Sequence, residues 1–436
     1  MDIKLPTPEP RIIPRSEHGI SRANISPAAL KVLYRLRGAG FQACLVGGGV
    51  RDLLLGREPK DFDVATDALP EDVRSLFRNC RLIGRRFRLA HVRFGGEIIE
   101  VATFRAGRTD DEDDGLDKSG RIISDNVYGT IEEDAWRRDF TINALYYDID
   151  TFGLLDFADG LTDLQKGLVR LIGEPQQRLR EDPVRMLRAV RFAAKLGFRI
   201  HQDTEEPLTR LGHLLEDMPP ARLYDEVLKL FLGGSALQTF ELLRHYRLFG
   251  PLFPLTEAVL AQEEGHFPHT LLVRALANTD TRIEQDKPVT PSFLFAALLW
   301  QPLRQRALAL EQQQVEEYEA LQQAADQVIA HQVRHTALPK RFSLPMREIW
   351  TLQSRFAQRG GKRPLRLLGH PRFRAAYDFM LLRAEAGEED PELARWWTEF
   401  TAMEAGEQEQ VLVPVDQDKG RRRPRRRPRR PSPRTG

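Results

Sequence analysis

Two aspartates separated by one residue, Asp61 and Asp63, are the strongest candidates for chemistry in this sequence. They alternate with Phe62 and Val64, a pattern typical of a strand that places both carboxylates on one face, roughly 6–7 Å apart at Cα. Carboxylate oxygens suit Mg²⁺, and such a pair can hold two ions about 3.5–4 Å apart. The pattern predicts a two-Mg²⁺ site for phosphate chemistry; the alternative is a solvated acidic strand face.

A glycine-rich turn, residues 47–51, shortly precedes this pair. It follows an apolar run and opens a helix, the setting in which backbone N–H groups bind phosphate. Gly48 would let phosphate approach the backbone, and Arg51 would add charge. Walker and dinucleotide-binding patterns are excluded, because no Lys-Ser/Thr follows and Asp52 stands where a third glycine belongs. The turn therefore predicts phosphate binding, with tight local packing as the alternative.

A third carboxylate is expected near the metals, and two candidates stay open. Asp139 follows Arg138 and precedes a strand-like run at 142–147, whereas Glu100 lies on a predicted strand at 98–104. Asp139 would support the metals or bind a ribose, and Arg138 would hold a triphosphate. The alternative for Asp139 is a surface ion pair with a neighbouring arginine.

Asp182 opens a predicted helix that carries Arg185 and Arg188 one turn apart. With Pro183 at the first turn, an N-cap role would explain Asp182 fully. A carboxylate acceptor beside a guanidinium donor also matches the edge of adenine, and cytosine presents the same pairing. The segment predicts a helix start, a reader of A and C, or both, and it does not separate ATP from CTP.

Positive charge is concentrated at the C-terminus. The 436 residues carry 65 Lys and Arg against 63 Asp and Glu, yet residues 419–436 contain ten cations and no acid, which leaves −8 for the rest. Such a proline-interrupted segment predicts a disordered tail that binds polyanions. Nucleic acid is the first interpretation, and a solubilising tail or a binder of acidic proteins is the alternative. The arginines assigned to RNA are Arg421, Arg422, Arg423, Arg425, Arg426 and Arg427.

Hydrophobic periodicity changes along the chain from mixed helix and strand signals to helix signals. Ser26 and Pro27 predict a helix start, strands are expected at 41–46 and 88–94, and an amphipathic helix is expected at 308–328. The fold class is therefore an α/β head followed by an all-α neck and body. The predicted divisions are a flexible extension at 1–25, a head at 26–175, a base-recognising neck at 176–235, an RNA-binding body at 236–410, and a disordered tail at 411–436.

Several classes of protein are excluded by composition. No run of 18 apolar residues and no secretory signal occurs, so a cytoplasmic protein without a membrane span is expected. Cys44 and Cys80 are too few for a disulfide framework or a cysteine-based zinc site.

Four segments together closely resemble the class II branch of the polymerase β-like nucleotidyltransferases, which holds bacterial poly(A) polymerases and CCA-adding enzymes. The segments are 45–52, 61–63, 137–145 and 181–192. The resemblance spans roughly residues 30–250 and implies a polymerase β-like head without a complete Rossmann sheet. It implies that Asp61, Asp63 and Asp139 are catalytic, that Gly48, Arg51 and Arg138 bind nucleotide, and that Asp182, Arg185 and Arg188 form a protein template for the base.

Within this branch, three features are similar to poly(A) polymerases: the segment 82–92 with Arg85 and Arg86, the segment 338–343 with Lys340 and Arg341, and the basic tail. They favour addition of AMP from ATP to RNA 3′ ends over CCA addition. A non-catalytic RNA-binding adaptor is a third hypothesis, although it would not need Asp61 and Asp63. The resemblance also implies two Mg²⁺ ions, ATP and RNA 3′ ends as partners, RNA-decay proteins as candidate partners, and a monomer.

Overall fold

A mixed β-sheet forms the centre of the N-terminal part of the chain in the computed structural model, which describes residues 9–84, 88–106, 127–263 and 270–412. These residues form two compact units. The first takes the described residues up to 263 with Leu276–Val289 and Val328–Leu338, and the second takes 270–275, Thr290–Gln327 and the described residues from Pro339. Arg85, Arg86 and the six tail arginines lie outside the described residues, and their assignment to RNA stays a prediction.

The sheet has eight strands: β1 (Arg11–Ile13), β2 (Ala43–Val46), β3 (Asp63–Thr66), β4 (Cys80–Ile83), β5 (Leu89–Phe94), β6 (Glu97–Thr103), β7 (Leu145–Asp148) and β8 (Leu154–Asp156). Their order is β1-β8-β7-β2-β3-β6-β5-β4. All neighbours are antiparallel except β3 and β6, which run parallel. A second, two-stranded parallel sheet joins β9 (Leu168–Val169) to β10 (Arg199–Ile200).

Helices pack on the sheet and continue along the chain. They are α1 (Pro27–Gly38), α2 (Gly48–Leu54), α3 (Pro70–Leu76), α4 (Ile131–Arg137), α5 (Gly160–Lys166), α6 (Pro175–Glu181), α7 (Val184–Leu196), α8 (Gln202–Leu211), α9 (Pro220–Phe231), α10 (Ala236–His245), α11 (Phe249–Leu252), α12 (Pro254–Glu263) and α13 (Thr270–Glu284). The remaining helices are α14 (Pro291–Leu298), α15 (Trp300–Glu311), α16 (Glu317–His335), α17 (Lys340–Phe356), α18 (Arg363–Leu368), α19 (Phe373–Glu385), α20 (Pro391–Ala402) and α21 (Ala405–Val411).

The expected fold class, an α/β head followed by helices, is confirmed. The α1 helix begins as the sequence predicts, because Ser26 Oγ accepts a hydrogen bond from the Ala29 N–H at 3.0 Å and Pro27 occupies the first turn. The only described strand after residue 176 is the short β10. No described helix is long and apolar enough to cross a membrane.

Two local expectations differ from the structure. Residues 11–13, assigned to the N-terminal extension, form strand β1 at the sheet edge, where Ile13 is buried and aligned with Leu154. The helix expected at 308–328 is interrupted: α15 ends at Glu311 and α16 begins at Glu317, with Gln314 between them at φ +66°. An apolar period does not report such a break, because Gln314 is polar and its left-handed backbone leaves the helical spacing on either side intact.

The second unit packs around aromatic side chains. Trp397 is fully buried, donates its Nε1–H to the Phe356 carbonyl at 2.9 Å, and meets the Phe356 ring edge-on at 5.1 Å. Trp350 likewise donates to the Ala296 carbonyl at 3.1 Å. Because each buried indole N–H has an acceptor, these rings contribute apolar burial without an unpaired polar group.

Candidate active site

The glycine turn and the acidic segment lie against each other. Gly47 adopts φ +74° at the start of α2, and a Cβ at this residue would lie 3.7 Å from both Asp63 Oδ2 and Arg138 Nη1. A Cβ at Gly49 would lie 3.2 Å from the Asp61 carbonyl oxygen. The first and third glycines thus permit a conformation and an approach that side chains would hinder, and the turn borders Asp63 directly.

Asp63 is partly buried at the first position of β3, and Asp61 is exposed just before the strand. Phe62 and Val64 are buried, as the alternating pattern predicts. Parallel pairing of β3 with β6 aligns Asp63 with Glu100. Burial and the carboxylates of Glu100 and Asp61 raise the pKa of Asp63 from its ordinary 3.8 to about 6, although Arg138 opposes the rise. The site therefore concentrates negative charge.

The metal-free protein should lose stability as its Asp63 ionises. Because the folded-state pKa lies above the unfolded value of 3.8, the native state binds more protons between these values, and the free energy of unfolding falls as pH rises through them. A shift of this size corresponds to about 3 kcal/mol. Asp63→Asn should therefore be more stable than the wild type at pH 7 and equally stable near pH 4. Thermal unfolding of both proteins across pH tests this; a difference independent of pH would contradict it.

Arg138 is anchored from behind. Its Nε and Nη2 donate to Asp134 Oδ2 at 3.2 and 3.0 Å, and Nε also donates to the Tyr146 hydroxyl at 2.8 Å. The Tyr146 hydroxyl donates to the same Asp134 oxygen at 2.6 Å. Burial lowers the pKa of Arg138, but Tyr146 and Asp134 together raise it by more, so the net shift of the pKa is upward. The guanidinium thus stays charged with Nη1 beside Gly47.

Asp139 is occupied by other partners. Arg188 donates from Nε to Asp139 Oδ2 at 2.7 Å and forms an ion pair with it through Nη2, while Oδ1 accepts the Phe140 N–H at 2.8 Å and Asn143 Nδ2 at 3.3 Å. Burial raises the pKa of Asp139, but Arg188 and the two hydrogen bonds lower it more, so the net shift is downward. The alternative of a surface ion pair with a neighbouring arginine is therefore wrong, because Asp139 pairs with Arg188, far along the chain, and its side chain is largely buried.

Arg51 points inward. Its side chain is nearly fully buried, with Nη1 donating to Asn143 Oδ1 at 2.8 Å and Nε donating to Asp52 Oδ1 at 2.8 Å. Its guanidinium lies 5.2 Å from the centroid of the Phe192 ring. Arg51 therefore links α2 to the segment after Asp139 and to α7. Its direct contact with phosphate stays a prediction.

The proposed base reader lies where α6 meets α7. Asp182 Oδ1 accepts the Val184 N–H at 3.2 Å, which is a capping contact, and Oδ2 accepts from Arg222 Nη2 at 2.5 Å. Arg185 donates to the Arg178 carbonyl at 2.6 Å and to Glu181 Oε2 at 3.1 Å. Both side chains are held by neighbours, and capping accounts for only one carboxylate oxygen of Asp182.

Phe192 and Arg191 help to position the site, although neither was assigned a role from the sequence. Phe192 on α7 is contacted by three guanidiniums: those of Arg51, Arg188 and Arg191 lie 5.2, 5.5 and 4.7 Å from its centroid. Arg191 also donates to Glu226 Oε1 at 2.7 Å. Sequence reasoning did not include Arg191, although its spacing of one helical turn from Arg188 could have suggested it.

Lys340 and Arg341 belong to the second unit. Both are exposed at the first turn of α17, and the Arg341 guanidinium lies 4.8 Å from the Phe342 ring centroid. Their contact with RNA stays a prediction.

Asp61 and Asp63 can supply part of the coordination shell of a hard cation such as Mg²⁺. Within the described residues, no three acidic, histidine or cysteine side chains converge closely enough to hold an ion alone. Asp61 and Asp63 would therefore supply only some ligands, with phosphate oxygens and water completing the shell, as is usual for Mg²⁺. The raised pKa of Asp63 supports the fit, because a bound cation would compensate the repulsion among the carboxylates.

Three family models match the chain in order along its length. The Poly A polymerase head domain matches residues 43–170, the probable RNA and SrmB-binding site of polymerase A matches 197–260, and the polymerase A arginine-rich C-terminus matches 313–431. The first covers the glycine turn, Asp61, Asp63 and Asp139.

Individual relatives agree with these models. Poly(A) polymerase I of Salmonella typhi is 51% identical over 98% of this chain and 93% of its own length. A CCA-adding enzyme of Ligilactobacillus salivarius is 38% identical over 53% of this chain and 57% of its own. The crystal structure of the Bacillus stearothermophilus CCA-adding enzyme in complex with CTP has a TM-score of 0.56 at 27% identity, covering 86% of this chain and 82% of its own. Identity of 51% over nearly the full length of both chains shows that this chain belongs to the bacterial poly(A) polymerase I family of nucleotidyltransferases.

Proposed function

We propose that this chain transfers AMP from ATP to RNA 3′ ends without a template and releases pyrophosphate. The observation that carries the proposal is the glycine turn beside Asp63, with the anchored Arg138 on the same side. This arrangement joins metal-binding carboxylates to a cation suited to a triphosphate. The 51% identity to a poly(A) polymerase I over nearly the full length of this chain supports AMP as the transferred group.

The side chains divide the work by position. Asp61 and Asp63 would hold two Mg²⁺ ions, which would lower the pKa of the RNA 3′-hydroxyl and neutralise the leaving pyrophosphate. Glu100 is favoured as the third carboxylate because it is aligned with Asp63 and about half exposed, although His91 Nε2 lies 3.1 Å from Glu100 Oε1. Asp139 is held by Arg188 and largely buried. Arg138, held by Asp134 and Tyr146, would bind the triphosphate with its geometry already set, which lowers the cost of ordering it.

Asp182 and Arg185 would read the base. Asp182 accepts from the adenine amino group, and Arg185 donates to the neighbouring ring nitrogen. Glu181 and Arg222 are positioning residues in this proposal, since each bonds one of the two readers. Asp182 and Arg185 must be held in place before the nucleotide binds, because a mobile pair of side chains would adapt to other bases.

Asp182→Ala should damage the choice of nucleotide more than the transfer itself. The variant loses the acceptor for adenine and leaves Arg222 without its partner, so kcat/KM for ATP should fall and its ratio to kcat/KM for GTP and UTP should drop about tenfold or more, as for one lost hydrogen bond to a charged group. The measurement is single-nucleotide incorporation on one RNA primer with each NTP offered alone.

The capping role gives this prediction its control. Asp182→Asn keeps an oxygen for the Val184 N–H and so retains most of the cap. It should be more stable than Asp182→Ala, because the cap remains, although it too loses the charge paired with Arg222, and it should lose selectivity. If both variants keep the wild-type ratio and Asp182→Ala loses only the roughly 0.5–2 kcal/mol of an N-cap, the base-reading proposal fails.

CCA addition is the runner-up and fits less well, because the CCA-adding relative matches only about half of this chain. The non-catalytic adaptor is disfavoured by the presence of Asp61 and Asp63 in one segment. We also propose that the protein acts on RNA as a monomer in the cytoplasm and contacts RNA-decay proteins. The division into head, neck, body and tail belongs to the same proposal.

A further inference from the structure

A stretch of the second unit is rich in positive charge. Between Glu348 and Asp378 the sequence has seven Lys and Arg and no acidic residue. All seven side chains are exposed. The stretch stands out because residues 1–418 carry a net charge of −8.

Within the described ranges, two of the seven cations have an acidic partner. Arg372 pairs with Glu348 at 3.1 Å and Arg374 with Asp378 at 3.0 Å. The others have no ion pair or side-chain hydrogen bond in the described part of the chain. We name them the α17–α18 patch: Arg355, Arg359, Lys362, Arg363 and Arg366.

Other exposed arginines of this unit differ. Arg347 pairs with Asp326 at 2.6 Å and Arg395 with Glu392 at 2.8 Å. Within α18, Arg363 and Arg366 stand one turn apart, where like charges destabilise a helix by about 0.2–0.5 kcal/mol per pair. The patch therefore retains an electrostatic cost that a bound polyanion would remove.

An aromatic layer adjoins the patch. The rings of Trp396 and Phe400 stack with centroids 4.8 Å apart at 10°. The Arg359 guanidinium lies 5.8 Å from the Trp396 ring centroid, and Trp396 is partly exposed. Single-stranded RNA is bound by such combinations, because cations follow the phosphates while bases stack on aromatic rings and arginine planes.

We propose that the α17–α18 patch binds the single-stranded RNA upstream of the reacting 3′ end. Lys362, Arg363 and Arg366 contact phosphates, and a base stacks at Arg359 and Trp396. The inference rests on the proposed activity on RNA, because the 3′ end itself must reach Asp61 and Asp63. The patch therefore holds nucleotides further back along the strand and retains a growing product.

The test compares two full-length triple variants with equal charge loss. Lys362→Gln, Arg363→Gln and Arg366→Gln remove patch cations, whereas Arg347→Gln, Arg374→Gln and Arg395→Gln remove paired ones. RNA affinity is measured against salt with a long single-stranded RNA and with a short primer of the same 3′ sequence. Three lost phosphate contacts should lower the salt slope by about 2, so that between 50 and 200 mM salt the wild type loses about 20-fold more affinity than the patch variant.

The controls separate charge, stacking and activity. The paired-arginine variant should keep the wild-type slope, and all proteins should extend the saturating short primer alike. Arg359→Lys should weaken binding of the long RNA at an unchanged slope, since it keeps the charge and loses the plane. Equal slopes for the two triple variants would overturn the inference, as would a patch variant that fails on the short primer. Failure of the wild type to add AMP would instead overturn the proposed function, and it is scored separately from binding.

Discussion

Asp61→Ala and Asp63→Ala are each expected to lower kcat for AMP incorporation by at least about a thousandfold, which corresponds to about 4 kcal/mol of transition-state stabilisation. Asp61 is exposed, and Asp63 is partly buried at a strand end. Single-turnover incorporation with saturating ATP and primer measures the loss without confusion from product release.

Folding is the control for this pair of variants. Asp63→Ala also removes a charge that burial and Glu100 disfavour, so its unfolding temperature without metal should equal or exceed that of the wild type at neutral pH. Added Mg²⁺ should raise the unfolding temperature of the wild type more than that of the variant, by preferential binding to the native state. If both variants retained more than a few per cent of the wild-type activity, the assignment of Asp61 and Asp63 as metal ligands would be wrong.

The second large effect concerns two variants: Glu100→Gln is expected to lose activity, and Asp139→Ala is expected to lose stability. Glu100 is about half exposed beside Asp63, so its loss should lower kcat about 100-fold or more while the fold is retained. Asp139→Ala leaves Arg188 without its counter-charge. This should cost about 2–3 kcal/mol of unfolding free energy, less than the 3–5 kcal/mol typical of a fully buried pair, because the Arg188 side chain remains 32% exposed.

A double-mutant cycle distinguishes the two roles of Asp139. If it mainly holds Arg188, the double variant Asp139→Ala, Arg188→Ala should be less destabilised than the sum of the single variants, with a coupling of about 1 kcal/mol or more. Denaturant unfolding gives these values. A fully stable Asp139→Ala protein without activity would instead show that Asp139 acts in catalysis, and a fully active Glu100→Gln protein would remove Glu100 from the site.

Local features of the site follow from the sequence because they depend on neighbours along the chain. The alternation at 61–64 places Phe62 and Val64 in the core, and Ser26 caps α1. Strand β1 was missed because a single three-residue strand within a proline-rich segment has too few residues for a period to be recognised.

Contacts between distant segments could not be predicted in this way. The parallel pairing of β3 with β6 brings Glu100 to Asp63, and no residue pattern specifies which strands become neighbours. Arg222 reaches Asp182 across 40 residues. The burial of the Arg51 side chain against Asn143 and Phe192 was not predicted either, because tertiary packing decides where a long side chain points. Its contact with phosphate stays a prediction.

Extension of RNA by the purified wild-type protein tests the central claim most directly. RNAs with different 3′ sequences, including a tRNA that lacks its CCA end, are incubated with Mg²⁺ and one NTP at a time. ATP alone is expected to extend every RNA into a homopolymer, with one pyrophosphate released per addition, and chelation of Mg²⁺ is expected to stop the extension. Incorporation of CTP, offered alone, into the truncated tRNA, together with no extension by ATP of the other RNAs, would contradict polyadenylation and favour CCA addition.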